Sequence, residues 1–165
     1  MEITIRPATA SNLQGILEIM NYNILHSTAL YDYDPKPYTY IENWFTEKQQ
    51  DNWPVVVAIQ GNGVLGYGTY GAFRFKQGYR YTIEHSVYTA PGQAGKGIGS
   101  LLLAELIRLA KNGGYHTMIG GIDADNAGSI AFHKKFGFTE TGIIKEAAYK
   151  FDKWLDLQFM QLILE

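Results

Sequence analysis

The chain opens on a short alternating run, Ile3-Thr-Ile-Arg6, closed by Pro7, which predicts a first strand. From Leu13 the apolar positions change to helical spacing: Leu13, Ile16, Leu17, Ile19, Met20 and Ile24 share one side, with Ser11 as the expected N-cap. Between His26 and Tyr38 both periods fail. Pro35, Pro37 and several tyrosines make this a loop that either walls a pocket or only connects. Ile41, Trp44 and Phe45 then mark a second helix over Tyr40 to Gln50. Val55–Ile59 and Val64–Tyr70 flank Gly61-Asn-Gly63, a hairpin in which Asn-Gly is expected to take the positive φ of the turn. A strand follows over Tyr81–Thr89, and a helix runs from about Ile98 to Asn112 with Gly113-Gly114 as its C-cap. Met118–Ile122 predicts a buried strand and Asn126–Phe136 a helix ended by Gly137. Phe138–Ile144 and Leu155–Leu164 supply two closing strands. The order βαα–βββ–α–β–α–ββ places the chain in the α/β (α+β) class, with one domain over residues 1–165. Its sheet is expected to be single, mixed and largely antiparallel, flanked by helices.

Composition removes function classes more than it adds them. At 165 residues the chain can bury a core without disulfides or a metal. A formal charge of −2 gives no electrostatic case for nucleic acid or an anionic membrane. There is no cysteine, which excludes disulfides, thiolate nucleophiles and Cys-based zinc sites. Nor do His, Asp and Glu fall at metal-ligand spacing, so no metal is expected. Met-Glu-Ile-Thr-Ile-Arg lacks the pattern of a signal peptide, and no apolar run nears the ~18 residues of a membrane span. The expectation is a soluble cytoplasmic domain. Aromatics reach 14%, enough to line a pocket or an interface as well as the core.

Three alternate glycines, Gly95, Gly97 and Gly99, stand between the strand ending at Thr89 and the helix near Ile98. Glycine is costly in either regular element, so the backbone there is expected to adopt positive φ or approach a ligand closely. Free amides at a helix N-terminus suit an anion, most often a phosphate. A P-loop using Lys96 would need Gly at 90 and Ser or Thr at 97; the chain has Ala90 and Gly97. A dinucleotide fingerprint belongs in an early βαβ unit with an acid about 20 residues on, and neither condition is met.

Thr89–Leu103 resembles the acyl-coenzyme A loop of the GNAT superfamily of N-acetyltransferases, Gln/Arg-x-x-Gly-x-Gly/Ala. Gly97 and Gly99 match, and Ala94 stands where Gln or Arg is usual. Asn126-Ala-Gly-Ser-Ile-Ala-Phe-His-Lys-Lys-Phe-Gly-Phe138 resembles the superfamily's second cofactor helix. Tyr22–Thr28, Thr82–Tyr88 and Phe151–Gln161 are similar to the phosphinothricin and methionine sulfoximine N-acetyltransferases, and this similarity runs nearly end to end. The resemblance implies a GNAT-like acyl-CoA N-acyltransferase fold, acetyl-CoA as co-substrate, a small amino-acid-like acceptor and a homodimer. It implies cofactor contacts from Val87, Tyr88, Thr89, Gly95, Lys96, Gly97, Ile98, Gly99, Ser100, Asn126, Ser129 and Lys135. It places substrate contacts at Arg74, Phe75, Lys76 and Glu84.

Acetyl transfer to an ammonium requires a proton to leave before attack. Glu84, among apolar and aromatic neighbours, is the candidate base; a salt bridge to Arg74, Lys76 or Arg80 is the competing role. Strict alternation sets Glu84, Ser86 and Tyr88 on one face and His85, Val87 and Thr89 on the other, unless a bulge breaks the parity. Arg74 offers a planar fork to an acceptor carboxylate, or else lies solvated. His85 is expected to pack against or orient Glu84, with His26 and His116 structural or solvated. His133 either donates a proton to the departing thiolate or packs against coenzyme A. Two other functions remain open: a protein N-terminus or polyamine as acceptor, and a non-catalytic acyl-CoA sensor.

Overall fold

The computed structural model describes residues 1–165 and follows the predicted element order. Strands β1 (Thr4–Pro7), β2 (Val55–Gln60), β3 (Gly63–Ala72), β4 (Thr82–Thr89), β5 (Thr117–Asp123), β6 (Thr139–Lys150) and β7 (Lys153–Ile163) form one sheet in the order β1-β2-β3-β4-β5-β7-β6. Helices α1 (Leu13–His26) and α2 (Tyr38–Gln50) cover one face; α3 (Ile98–Asn112) and α4 (Ala127–Lys135) belong to the other. Burial on both faces explains the continuous apolar run of β2. Val55 and Val57 join the cluster under α1 and α2, whereas Val56 and Ala58 join the cluster under α3.

Every strand pair is antiparallel except β4 with β5. That parallel pairing covers only Thr82↔Thr117, Ile83↔Met118 and Glu84↔Ile119. Beyond Glu84 the two strands part, and the second half of β4 is left open on that side. Against β3, by contrast, β4 stays in continuous register from Ile83 to Thr89. No bulge interrupts β4, so the alternation holds: Tyr88 packs toward the α1/α2 face and Val87 toward α3. The sheet's irregularities lie elsewhere, between β2 and β3 at Ala58/Ile59 and between β6 and β7 at Glu140/Gly142 and Ile144/Ala148.

Several local expectations are corrected. Ser11 does not cap α1. A short turn over Ala10–Asn12 precedes the helix, and the buried Asn12 side chain closes it, its Oδ1 accepting from Thr9 N at 2.9 Å and Arg6 Nη1 at 3.0 Å. Helix α2 starts two residues earlier than expected, after Pro37. In the β2–β3 hairpin the positive φ (60°) falls on Gly61 rather than on Asn-Gly. Strand β6 continues to Lys150, well past Ile144, and turns tightly into β7 through Phe151 and Asp152. Both turn residues have positive φ (53° and 58°) with no glycine present.

Candidate active site

The parting of β4 and β5 creates two cavities that meet. One, of about 370 Å³, lies on the α1/α2 side of β4 and is walled by Thr28–Tyr31, Glu84, Ser86 and Tyr88, with Gly121 and Asp123 from β5. The other, of about 560 Å³, runs beside the β4–α3 turn and α4. Their shared wall is His85, Val87, Asn126, Ser129 and His133.

The second cavity is built around main-chain amides. Gly95 and Gly97 have φ of 76° and 81°, and Gly97 is the N-cap of α3. Lys96 N donates to Gln93 O and Leu101 N to Gly97 O, whereas the amides of Gly97 to Ser100 find no protein acceptor. An added Cβ at Gly95 or Gly97 would meet nothing within 4 Å, so positive φ rather than crowding is what calls for glycine there. Free amides at the positive end of a 15-residue helix are a fitting seat for a pyrophosphate. Val87, Thr89, Gly95, Gly97, Ile98, Gly99, Ser100, Asn126, Ser129 and Lys135 all line this cavity. Two residues assigned to it by sequence do not. Lys96 points elsewhere from an exposed turn, and Tyr88 opens onto the first cavity because alternation carries it through the sheet. Gln93 and Phe132 also line it; both lie within the two motif segments, but neither is among the contacts that the resemblance implies.

In the first cavity Glu84 belongs to none of the molecule's three ion pairs, so the salt bridge to Arg74, Lys76 or Arg80 is absent. Its carboxylate rests against Gly121, where an added Cβ would stand 3.1 Å from Oε2. Burial raises its pKa above the ordinary carboxylate value. Burial also pushes the Tyr88 phenol up to about 12, with the Ser86 hydroxyl acting in the opposite sense. Behind the wall, Thr28 Oγ1 donates to Asp123 Oδ2 at 2.5 Å and secures the loop after α1 to the end of β5. This Pro-bounded, Tyr-rich loop is therefore a pocket wall.

His85 lies on the opposite face from Glu84 and does not orient it. It pairs with His133, Nε2 to Nε2 at 3.0 Å, with the rings 5.0 Å apart and stacked. His133 Nδ1 lies 2.7 Å from Ser129 O, an acceptor only, so that nitrogen carries the proton and Nε2 accepts from His85. His85 Nδ1 is then a buried acceptor without a partner. Burial, followed by the neighbouring His133, drives the His85 pKa down to about 3; burial also lowers that of His133. Both imidazoles are thus neutral, and both nitrogens of His133 are engaged. Gly120 makes the pair possible, since a Cβ there would stand 3.2 Å from His85 Nε2. Adjacent glycines of β5 therefore serve opposite faces: Gly120 the imidazoles, Gly121 the carboxylate.

Arg74, Phe75 and Lys76 sit on the exposed turn after β3 and line neither cavity; Phe75 is 97% exposed. The turn is nonetheless near the site. The ring of Phe73 meets that of Phe159, which adjoins Gly121. No lysine or arginine lines the first cavity.

Residues 19–138 match the model of the acetyltransferase (GNAT) family. The chain belongs to that family. Over 166 residues it is 40% identical to an L-methionine sulfoximine/L-methionine sulfone acetyltransferase of Pseudomonas paraeruginosa, covering 100% of this chain and 96% of that protein. A phosphinothricin N-acetyltransferase of Alcaligenes faecalis is 30% identical, with 96% of this chain and 81% of that one aligned. Among solved structures, an N-acetyltransferase of Staphylococcus aureus superposes with a TM-score of 0.98 at 44% identity, covering both chains fully. An acetyltransferase of Salmonella typhimurium holding acetyl-CoA superposes at 0.95 with 40% identity, over 99% of this chain and 94% of that one. The GNAT acetyltransferase described here thus has the fold expected from its motifs and is an acetyl-CoA-dependent N-acetyltransferase. No group of three or more His, Asp or Glu side chains converges as a metal site, and no helix is long and apolar enough to cross a membrane.

Proposed function

We propose that this acetyltransferase acetylates the α-amine of a small amino acid or analogue, of the methionine sulfoximine, methionine sulfone or phosphinothricin type. The observation that carries this reading is Glu84, a half-buried carboxylate without a protein partner, facing the cavity that adjoins the amide-lined cleft. Acetyl-CoA, seated by the Gly97–Ser100 amides, supplies an activated acetyl thioester. Glu84 takes a proton from the acceptor ammonium, directly or through water, and frees the nitrogen lone pair. Nitrogen bonds to the acetyl carbon, and the carbon–sulfur bond breaks with its electron pair leaving on sulfur as thiolate. The second proton now carried by nitrogen passes through solvent to that thiolate, giving the neutral amide and the free thiol. The opened half of β4 offers main-chain N–H groups where negative charge develops on the acetyl oxygen. His133, with both nitrogens engaged, acts as a wall of the cofactor cleft rather than as a proton donor in this scheme.

Arg74 and Lys76 are proposed to reach the acceptor carboxylate from the turn beside Phe73, since the cavity has no cation of its own. A homodimer fits the exposed apolar side chains of the β6–β7 edge, including Ile143, Ile144 and Trp154, the last 61% exposed. Use of acetyl-CoA, a metabolite of the cell interior, supports a cytoplasmic setting. The test is thiol release from acetyl-CoA by the purified protein across a panel of amino acids, polyamines and N-terminal peptides. Release with methionine sulfone or sulfoximine and none with polyamine or peptide is expected. Release with the peptide or polyamine alone, or tight acetyl-CoA binding without any acceptor-dependent release, refutes this reading.

A further inference from the structure

Lys150 ends β6 with a side chain that the site chemistry leaves unexplained. The residue is 3% exposed, yet its ammonium belongs to none of the three ion pairs. Buried charges are ordinarily paired, because leaving water is expensive. Here the direct partners are main-chain carbonyls: Lys150 Nζ donates to Ser27 O at 2.7 Å and to Leu30 O at 2.5 Å. Burial disfavours the charge, while the Asp32 carboxylate, beyond ion-pair distance, favours it. The Phe151 ring lies 4.9 Å away on centroid distance. Ser27 is the C-cap of α1, where helical carbonyls lack intrahelical donors and the helix dipole favours a cation. Leu30 is itself part of the first cavity's wall, so the two carbonyls bracket Thr28 and Ala29.

A second observation points the same way. The turn that follows Lys150 places Phe151 and Asp152, neither of them glycine, at φ of 53° and 58°. Such residues hold left-handed backbone only where the surroundings over-determine it. The hairpin is held in this form while its lysine reaches back across the sheet, and the Tyr33 hydroxyl bonds Tyr149 O beside it.

We propose that Lys150 is a positioning residue for the acceptor: its ammonium caps α1 and fixes the Thr28–Tyr31 wall. Acceptor binding then depends on the β6–β7 hairpin, whereas acetyl-CoA binding does not, since Lys150 touches no wall of the cofactor cleft. The proposal rests on the acceptor occupying the cavity of Glu84.

The test compares wild type with Lys150→Met and Lys150→Arg, measuring acceptor KM, acetyl-CoA Kd by calorimetry, and amide hydrogen exchange. Methionine keeps the length and removes every donor. It should raise acceptor KM by about tenfold, the scale of one charge-assisted hydrogen bond, with acetyl-CoA Kd within about twofold. Exchange should quicken at residues 27–31 and stay unchanged at 97–100. Arginine, which retains donors, should recover a large part of the acceptor KM. An unchanged acceptor KM in Lys150→Met, or acceptor and acetyl-CoA affinities weakening together, overturns the proposal. Should Lys150→Met not fold, the same measurements on Lys150→Leu, which likewise removes every donor, decide in the same way. Exchange at residues 27–31 in Lys150→Gln, whose amide N–H groups sit on a shorter and uncharged side chain, should lie between Leu and wild type. If wild type releases thiol with no acceptor, the assigned function fails, while exchange at residues 27–31 still decides whether Lys150 holds the wall.

Discussion

Replacing Gly121 by alanine tests the seat of Glu84 without touching its chemistry. The new Cβ would stand 3.1 Å from Glu84 Oε2 and 3.4 Å from Leu157 Cδ1, so the carboxylate must retreat by a few tenths of an ångström. Misplacement of a reacting group by 1 Å costs about a hundredfold, and a few tenths scale to roughly three- to tenfold. The assay is acceptor-dependent thiol release at saturating acetyl-CoA, read as kcat/KM for the acceptor. Acetyl-CoA Kd should stay unchanged, since Gly121 faces away from the cofactor cleft. In a Glu84→Gln background the alanine should cost little more, because the group it displaces no longer works. Gly120→Ala is the control on the other face, where the Cβ meets His85 Nε2 at 3.2 Å and disturbs the imidazole pair. A folded Gly121→Ala enzyme with wild-type kcat/KM would show that the position of Glu84 does not limit the reaction. An equal loss in the wild-type and Glu84→Gln backgrounds would show that the alanine acts through something else.

Other outcomes follow from the same structure. Glu84→Gln should lower kcat by about 10²–10⁴-fold and abolish the acidic limb of the pH–rate profile, which in wild type should lie above the ordinary Glu value of ~4.3. Because the folded-state pKa is raised, stability present below the unfolded pKa is lost as pH rises through the folded one. Thermal unfolding should therefore find Glu84→Gln more stable than wild type near pH 7, with the difference vanishing below about pH 4. Gly97→Ala meets no atom within 4 Å, but φ of 81° strains the backbone by ~1–2 kcal/mol. Calorimetry should show acetyl-CoA binding weakened by about tenfold, with methionine sulfone KM little altered. Asp152→Gly should raise the urea midpoint by the equivalent of ~1 kcal/mol, because glycine adopts φ of 58° without penalty.

Legibility from sequence tracked locality and burial. Helix α3 was readable to the residue because its apolar stripe, Ile98, Leu102, Leu103, Leu106 and Ala110, is buried on one side and its ends carry glycines. Strand β6 was not, since it lies at a sheet edge and is exposed along nearly its whole length, leaving no alternation to detect. The glycine turn and Glu84 were visible as residue types in a local pattern. What surrounds Glu84 was not, because Gly121 reaches it only through the parallel pairing of β4 with β5, more than 30 residues apart. The His85–His133 contact and the reach of Lys150 to Ser27 are likewise products of topology. The resemblance groups Tyr88 with Val87 and Thr89 as cofactor contacts, whereas its side chain lines the Glu84 cavity, as the alternation along β4 requires.

The parting of β4 and β5 also bears on the order in which the two ligands arrive. The cavities share only the short wall from His85 to His133 and otherwise have separate linings, so neither ligand must cross the other's seat. Steric passage therefore does not impose a compulsory sequence of addition. Both orders of addition are then sterically open, and an unreactive acceptor analogue is expected to compete with the acceptor while leaving acetyl-CoA free to bind. Any preference for one order must then come from energetic coupling across that shared wall.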